Sequence, residues 1–221
     1  MQTAIGFLTM IVIGLCLPSC STVPTYNIKV NGYTDPAAPA LIRPGASVCV
    51  VENQQAKNPL LEKEIKDKLN KLLTNRGFSV IPFEKADYYL FFDYGMTAPS
   101  SVSVTPPDYY GSIGWGWGYG WGGPSVYMGM PYGGYAGTTT LNDRWLLIKV
   151  VEGPPYRTQK VSRPVWVGEA RSVGASSDLR TVLNYLLVAE FKQFGKNTGQ
   201  AITMDINAED PELATLSQPG K

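Results

Sequence analysis

The order of apolar and polar residues along the chain predicts two amphipathic helices. The first begins at Asn58-Pro59, an N-cap followed by proline at the first helical position, and it ends before Gly77. The second begins after Ser176-Ser177-Asp178 and runs to about Phe194. The positions at helical spacing are Leu61, Ile65, Leu69, Leu72 and Leu73 in the first helix, and Leu179, Val182, Leu183, Leu186, Glu190, Phe191 and Phe194 in the second.

Short runs rich in β-branched and aromatic residues predict strands between these helices. The two predicted strands on either side of Gly153-Pro154-Pro155 are expected to pair antiparallel across a loop of about ten residues. This order of elements predicts an α+β fold, a two-layer sandwich with a mixed or antiparallel sheet of five or six strands and both helices on one face. The predicted strands are 26–30, 47–51, 78–83, 88–94, 144–152 and 165–173.

The first 19 residues form an uncharged apolar segment that is too short to span a bilayer and has the length of a signal peptide. Its end, Leu17-Pro18-Ser19-Cys20, resembles the bacterial lipobox, which implies cleavage before Cys20 and acylation of its sulfur, as by palmitate. Ser21, rather than an aspartate, follows the cysteine. This resembles the sorting pattern of enterobacterial lipoproteins that are sent to the outer membrane, facing the periplasm. Residues 20–46 are then the lipidated N-terminus, a linker and the first strand. The alternative is a buried N-terminal helix that holds a cysteine by chance.

The composition changes between residues 97 and 142, where Asp108 is the only charged residue. We predict a Gly/Tyr/Trp-rich insertion 97–142 within an α/β lipoprotein domain 47–195. It is either a low-complexity segment lying on the domain or a patch that binds a protein, a glycan or a membrane interface. The candidate partner-binding residues are Tyr109, Tyr110, Trp115, Trp117, Tyr119, Trp121, Tyr127, Tyr132 and Tyr135.

Composition and charge exclude several classes of function. The chain has 19 basic and 18 acidic residues, which leaves no electrostatic footprint for nucleic acid. It has no histidine, so the commonest general base and metal ligand are absent, and we predict no metal site, cofactor or catalytic residue. Gly118-x-Gly120-x-x-Gly123 matches a dinucleotide fingerprint but lacks the flanking strand and helix. Cys49 is predicted to be a buried apolar thiol, and the acidic residues 196–221 to be a disordered tail.

Several motifs of the chain together resemble the bacterial lipoproteins grouped as domain of unknown function 4136 (DUF4136). The resemblance covers roughly residues 26–195, and Val167 stands where the family usually has arginine. It implies a periplasm-facing lipoprotein and brings no known activity. The motifs are the lipobox, Arg76-Gly77-Phe78, Ala86-Asp87-Tyr88-Tyr89-Leu90, the Tyr/Gly-rich middle, Leu147-Ile148-Lys149-Val150-Val151 and Pro164-Val165-Trp166-Val167-Gly168-Glu169-Ala170.

Two functions from different classes follow from these observations. The first is a non-enzymatic, membrane-anchored envelope lipoprotein that binds an unknown envelope protein or glycan through its aromatic Gly-rich loop. The alternative is an envelope hydrolase or glycan-processing enzyme that uses carboxylates such as Asp87, Asp93 and Glu169. The enzyme would require two of these carboxylates about 5–10 Å apart in one cleft.

Overall fold

The computed structural model of the chain describes residues 23–36, 42–97, 100–104, 137–159 and 161–217. Within these ranges no helix combines the length and the apolar character that crossing a bilayer requires. The strands are β1 Thr25–Thr34, β2 Ser47–Val51, β3 Ser79–Val80, β4 Tyr88–Met96, β5 Ser100–Val104, β6 Gly137–Glu152, β7 Pro164–Gly174 and β8 Ile202–Asn207, and the helices are α1 Pro59–Asn75, α2 Gly153–Gln159, α3 Leu179–Lys192 and α4 Pro211–Ser217.

Seven of the strands form one mixed sheet in the order β3-β2-β4-β6-β7-β1-β8, and β5 pairs with β6 beside this path. The β2 strand runs parallel to β3 and β4, and the other neighbours run antiparallel. The α+β class and the antiparallel pairing of β6 with β7 are therefore confirmed. The prediction of five or six strands and two helices was too low, because the described part of the chain also forms short elements that carry little periodic signal.

The two long helices begin and end where the sequence predicts. The Asn58 side chain accepts a hydrogen bond from the Leu61 N–H at 3.1 Å, and Asp178 accepts one from the Thr181 N–H at 3.0 Å. Each cap satisfies a backbone donor that the first turn leaves without an intrahelical partner. Gly77 follows α1 with φ at +79°, a left-handed conformation that favours glycine.

The main hydrophobic core lies between one face of the sheet and helices α1, α3 and α4. Alternate residues of the central strands, such as Leu90, Ile148 and Ala170, are fully buried there against the apolar stripes of the helices. Among the described residues, a helix covers only one corner of the opposite face, which we call the open face. There α2 places Tyr156 against Tyr89 and Phe91, with ring centroids 5.4 and 5.3 Å apart.

The prediction of a disordered tail after residue 195 was wrong for residues 202–217. The β8 strand pairs with the first part of β1, where Thr25 lies opposite Asn207 and Val30 lies opposite Ile202. Leu213 and Leu216 of α4 are buried in the main core. The acidic residues that suggested disorder instead pair with cations of the long helices. Lys192 Nζ lies 2.6 Å from Asp210, and Arg76 lies 2.9 Å from Glu212.

The predicted bounds of the 97–142 insertion were also wrong, since β5 and the start of β6 lie inside it. The alternating Ser-Val-Ser-Val of residues 101–104 is a strand pattern that the glycine-rich composition nearby obscured. The strand predicted over residues 78–83 is only the two residues of β3. Pro82 lacks the N–H that a further ladder bond would need.

Candidate functional site

The residues predicted to carry function lie mostly outside the described residues. Cys20, the fingerprint Gly118-x-Gly120-x-x-Gly123 and the nine aromatic candidates from Tyr109 to Tyr135 all belong to this group. The structure does describe the strands on both sides of the aromatic segment, and it describes Cys49 and the three candidate carboxylates.

The β5–β6 pair is a hairpin stem that joins the ends of the aromatic segment 105–136. Its register runs from Ser100 opposite Leu141 to Val104 opposite Gly137. Residues directly opposite in an antiparallel pair have Cα atoms about 4.5–5.5 Å apart. The two ends of the segment are therefore joined to neighbouring positions at the end of two paired strands. This placement was missed because the stem itself was assigned to the insertion.

The hairpin stem and the start of β1 lie at the same end of the sheet. Lys29 pairs with Arg171 in β7, and Asn142 of β6 pairs with Gly174 three residues further along β7. Because β1 runs antiparallel to β7, Thr25 lies at this same end, level with the root of the stem. We call this end the hairpin pole, and it consists of residues 23–25, 96–97, 100–104, 137–142 and 174–177.

The two ends of the sheet differ sharply in charge. None of the residues that make up the hairpin pole is charged. Two acidic residues, Asp178 and Glu209, lie on turns beside it, and Val23 and Met96 expose apolar surface there. The opposite pole, where β2 and β4 begin and β1 and β6 end, holds charged residues of both signs: Asp35, Arg43, Glu84, Lys85, Asp87, Glu152, Arg157 and Arg163.

The buried side chain of Arg144 forms hydrogen bonds to the β7–α3 turn at the hairpin pole. Arg144 is 1% exposed, and its guanidinium donates to the carbonyl oxygens of Gly174 at 3.0 Å and Ser176 at 2.7 Å and to the Ser172 hydroxyl at 3.3 Å. Burial lowers the pKa of Arg144, while Tyr26 and Asp143 raise it. These bonds fix the β7–α3 turn against β6 at the root of the stem.

The candidate carboxylates are not brought into one cleft. Asp93 and Glu169 lie in one row on the open face, each opposite Leu147 of β6. With one strand between them, their backbones are about 10 Å apart. Burial raises the pKa of Glu169; Arg171 opposes this shift and Asp143 adds to it. Arg171 pairs with Asp143 across the strands and with Glu169 two residues away in the same strand, so Glu169 belongs to a structural ion-pair cluster.

Asp87 lies at the opposite pole, in a shallow groove of about 450 Å³ that also contains Tyr88 and Glu152. The Ser47 hydroxyl donates to Asp87 at 2.5 Å, and the Ser47 N–H donates to the same oxygen at 3.3 Å. Burial raises the pKa of Tyr88, helped by Glu152 and Asp87. Because Asp87 already holds the start of β2, its carboxylate has a structural role in this arrangement.

Cys49 is half-buried rather than fully buried, on the face that α2 partly covers. Burial raises the pKa of its thiol, Lys66 opposes this shift and Glu84 adds to it. A raised pKa disfavours the reactive thiolate. No group of three or more His, Cys, Asp or Glu side chains in the described ranges is arranged to hold a metal ion.

Glu190 is a buried ionisable group that the sequence prediction did not single out. It is 0% exposed in α3, and neither carboxylate oxygen has a hydrogen-bond partner among the described residues. It lies over Gly168 of β7, where a Cβ would stand 1.6 Å from Glu190 Oε1 and 2.2 Å from the Trp166 ring. Burial raises its pKa well above the ordinary value, and Glu169 raises it further. The signal in the sequence was a glutamate on the apolar stripe of the helix.

Comparison with known proteins settles the family. The family model "Domain of unknown function (DUF4136)" matches residues 19–194. The chain belongs to this family. In the stretch Val165-Trp166-Val167-Gly168 of the DUF4136 domain, the Trp166 indole lies across Gly168, where a side chain would overlap it. The same indole donates a hydrogen bond to the Lys196 carbonyl at 3.0 Å. A comparison with curated proteins found no match.

Several solved structures are similar to this chain at low identity. A PDZ domain protein from Parabacteroides distasonis has 11% identity and a TM-score of 0.45; the match covers 86% of this chain and 41% of that protein. A PelC dodecamer from Paraburkholderia phytofirmans has 10% identity and a TM-score of 0.39, with coverage of 77% and 99%. A putative neuraminyllactose-binding hemagglutinin homolog from Helicobacter pylori has 13% identity and a TM-score of 0.34, with coverage of 72% and 89%.

Proposed function

We propose that this DUF4136 protein is a non-enzymatic envelope lipoprotein. Its anchor is an acylated Cys20 in the outer membrane, facing the periplasm, and its working part is the aromatic segment between Tyr109 and Tyr135. The observation that carries this proposal is the β5–β6 stem, which holds both ends of that segment on a rigid sheet. Binding residues are disproportionately found on loops that a rigid scaffold positions.

The composition of the segment supports a role in binding. Between Tyr109 and Tyr135 the sequence contains six tyrosines and three tryptophans and no charged residue. Aromatic side chains are enriched at interfaces because they bury large areas at a low entropic cost. Charged residues are depleted there because their desolvation is expensive. A catalytic reading has less support, since Asp87 lies at the opposite pole, away from Asp93 and Glu169, and Glu169 is paired with Arg171.

The test compares partners captured by the wild-type protein with those captured by a variant in which the nine aromatic candidates are replaced by serine. Both proteins are expressed with their lipid anchor, crosslinked in the envelope and purified. We expect the variant to fold, because the stem is unchanged, and to lose the crosslinked species. The matched control replaces Tyr33, an exposed aromatic residue at the opposite pole, and should keep those species. An identical set of partners from all three proteins would refute the proposal.

A further inference from the structure

We infer that the open face of the sheet carries a further binding site, which takes a neutral oligosaccharide along β6. The inference goes beyond the proposed function, because it depends neither on the acylation of Cys20 nor on the aromatic segment. We call the site the β6 face. Its six residues are Asp93 of β4, Asp143, Trp145 and Leu147 of β6, and Glu169 and Arg171 of β7.

Trp145 and Leu147 form an apolar strip at the centre of the β6 face. They are successive residues of β6 on the open side of the sheet; Leu147 is 36% exposed and Trp145 is partly exposed. Trp145 lies opposite Gly95 of β4, where a Cβ would stand 2.7 Å from the indole ring. Because Gly95 has no side chain, the indole leans across the neighbouring strand and adds a flat apolar surface to the open face.

Hydrogen-bonding side chains lie on both sides of this strip. Asp93 lies opposite Leu147 on one side, and Glu169 lies opposite the same residue on the other. Arg171 lies opposite Trp145, with its guanidinium 3.8 Å from the Glu169 carboxylate. The side chains of Arg171 and Glu169 are 35% and 32% exposed, so both can contact a ligand that lies on the strip.

Neighbouring groups already orient these polar side chains. The Tyr94 N–H donates to Asp93 Oδ1 at 2.9 Å. Arg171 is held by ion pairs with Asp143 and Glu169. Binding therefore immobilises few freely rotating side chains, which lowers its entropic cost.

This arrangement fits the two kinds of surface that a sugar ring presents. The C–H groups on the faces of a pyranose ring pack against an aromatic ring, and the hydroxyls around its edge both donate and accept hydrogen bonds. Carboxylates accept from such hydroxyls and a guanidinium donates to them, and these bonds to charged groups are the stronger kind. From Asp143 to Leu147 the β6 face extends about 14 Å at about 3.4 Å per residue, which favours a short oligosaccharide over a single sugar ring.

The same charges disfavour other classes of partner. Charged residues are depleted at the centre of protein interfaces, and a bilayer surface would also have to desolvate them. On the β6 face, three carboxylates and one guanidinium surround two apolar side chains. Lys29 and Lys149 border the β6 face, but the carboxylates adjoin the strip directly. We therefore expect neutral sugars to be preferred over anionic ones.

The site is tested by isothermal titration calorimetry of the full-length protein in a detergent that has no sugar headgroup. The neutral probes are cellotetraose, maltotetraose and chitotetraose, and tetragalacturonate is the anionic probe of equal length. We expect at least one neutral tetrasaccharide to bind, and tetragalacturonate to bind more weakly. No binding of any neutral tetrasaccharide, or tighter binding of tetragalacturonate, would overturn the inference.

Substitutions assign the binding to the β6 face. Trp145→Ala should raise the dissociation constant of the bound tetrasaccharide by about tenfold or more, and Trp145→Phe, which keeps an aromatic ring, should raise it less. The matched control is Tyr33→Ala, which removes an exposed aromatic residue of the open face about 17 Å from Trp145 and should bind like wild type. Unchanged binding by Trp145→Ala would place the sugar elsewhere on the chain and overturn the inference.

A second substitution keeps the test decisive if Trp145→Ala fails to fold, which urea unfolding will show. Asp93→Asn changes an exposed side chain and keeps its shape, and it should raise the dissociation constant about threefold or more by weakening a charge-assisted hydrogen bond. Unchanged binding by both Asp93→Asn and Trp145→Phe would overturn the inference. Loss of a crosslinked envelope protein in these variants, without any oligosaccharide binding by wild type, would overturn it in favour of a protein partner.

Discussion

Glu190 makes the stability of this fold depend on pH in a way that one substitution isolates. The carboxyl group is fully buried against Gly168 and Trp166, and neither oxygen has a hydrogen-bond partner among the described residues. Burial, with a smaller contribution from Glu169, raises its pKa well above the ordinary value of 4.5. The folded protein therefore keeps Glu190 protonated over a pH range in which the unfolded chain ionises it.

The sign of the effect follows from proton linkage. Below the ordinary pKa both states are protonated, so Glu190 adds no pH dependence. Above it the folded state binds the extra proton, and stability falls as pH rises, by about 1.4 kcal/mol for each pH unit until the pH reaches the pKa in the fold. Glu190→Gln cannot ionise. We therefore expect the variant to be close to wild type in acid and to become more stable than wild type as the pH rises through neutrality.

The assay is urea unfolding of both proteins at a series of pH values between about 5 and 8, with the difference in unfolding free energy plotted against pH. Glu190→Met is a second non-ionising variant, and its curve should run parallel to that of Glu190→Gln. The control is Glu209→Gln, which changes an exposed side chain and should follow wild type. A difference between wild type and Glu190→Gln that stays constant over this range would refute the reasoning.

Three further predictions concern the packing around these sites. Gly168→Ala should lower the free energy of unfolding in urea by about 2 kcal/mol or more, because its Cβ would overlap Trp166 and Glu190. The loss should be clearly larger than for Gly174→Ala, whose Cβ would meet the Arg144 side chain at 3.1 Å. Equal losses would contradict this prediction. Arg144→Met should cost a similar amount by leaving two carbonyl oxygens unpaired, and faster hydrogen exchange of the 174–178 amides should accompany it; unchanged exchange would contradict it. Truncation after residue 200 should lower the free energy of unfolding by at least about 4 kcal/mol, since it removes Ile206 and the apolar face of α4. Truncation after residue 217 should have little effect. Equal stability of the two truncated proteins would argue against the packing of β8 and α4.

The sequence predicted best those elements that local chemistry and periodicity specify together. The first helix has a cap, a proline, an apolar stripe and a terminal glycine that all agree, and its bounds were predicted closely. The β2 strand was predicted to the residue, because a β-branched run with turns on both sides has few alternatives. The order of strands in the sheet could not be read in this way, since β1 lies far from β2 and pairs with β7 and β8.

The errors share one physical cause, which is that tertiary partners override local composition. The tail alternates apolar and polar residues over Ile202, Met204 and Ile206, but its acidic composition obscured this strand pattern. In the fold, β8 pairs with the edge of β1, and Asp210 pairs with Lys192. The stem was missed because the glycine-rich composition nearby obscured the alternation of residues 101–104, whose partner strand lies more than 30 residues later in the chain. The uncharged pole is likewise a property of the fold, since its residues come from five separate stretches of sequence.

We propose that an acylated Cys20 anchors the domain to the membrane. The most direct measurement is mass spectrometry of the N-terminal peptide of the protein purified from a bacterium that processes lipoproteins. We expect a peptide that begins at Cys20 and carries acyl chains on its sulfur. A peptide that begins at Met1, or one in which Cys20 carries an unmodified thiol, would contradict it.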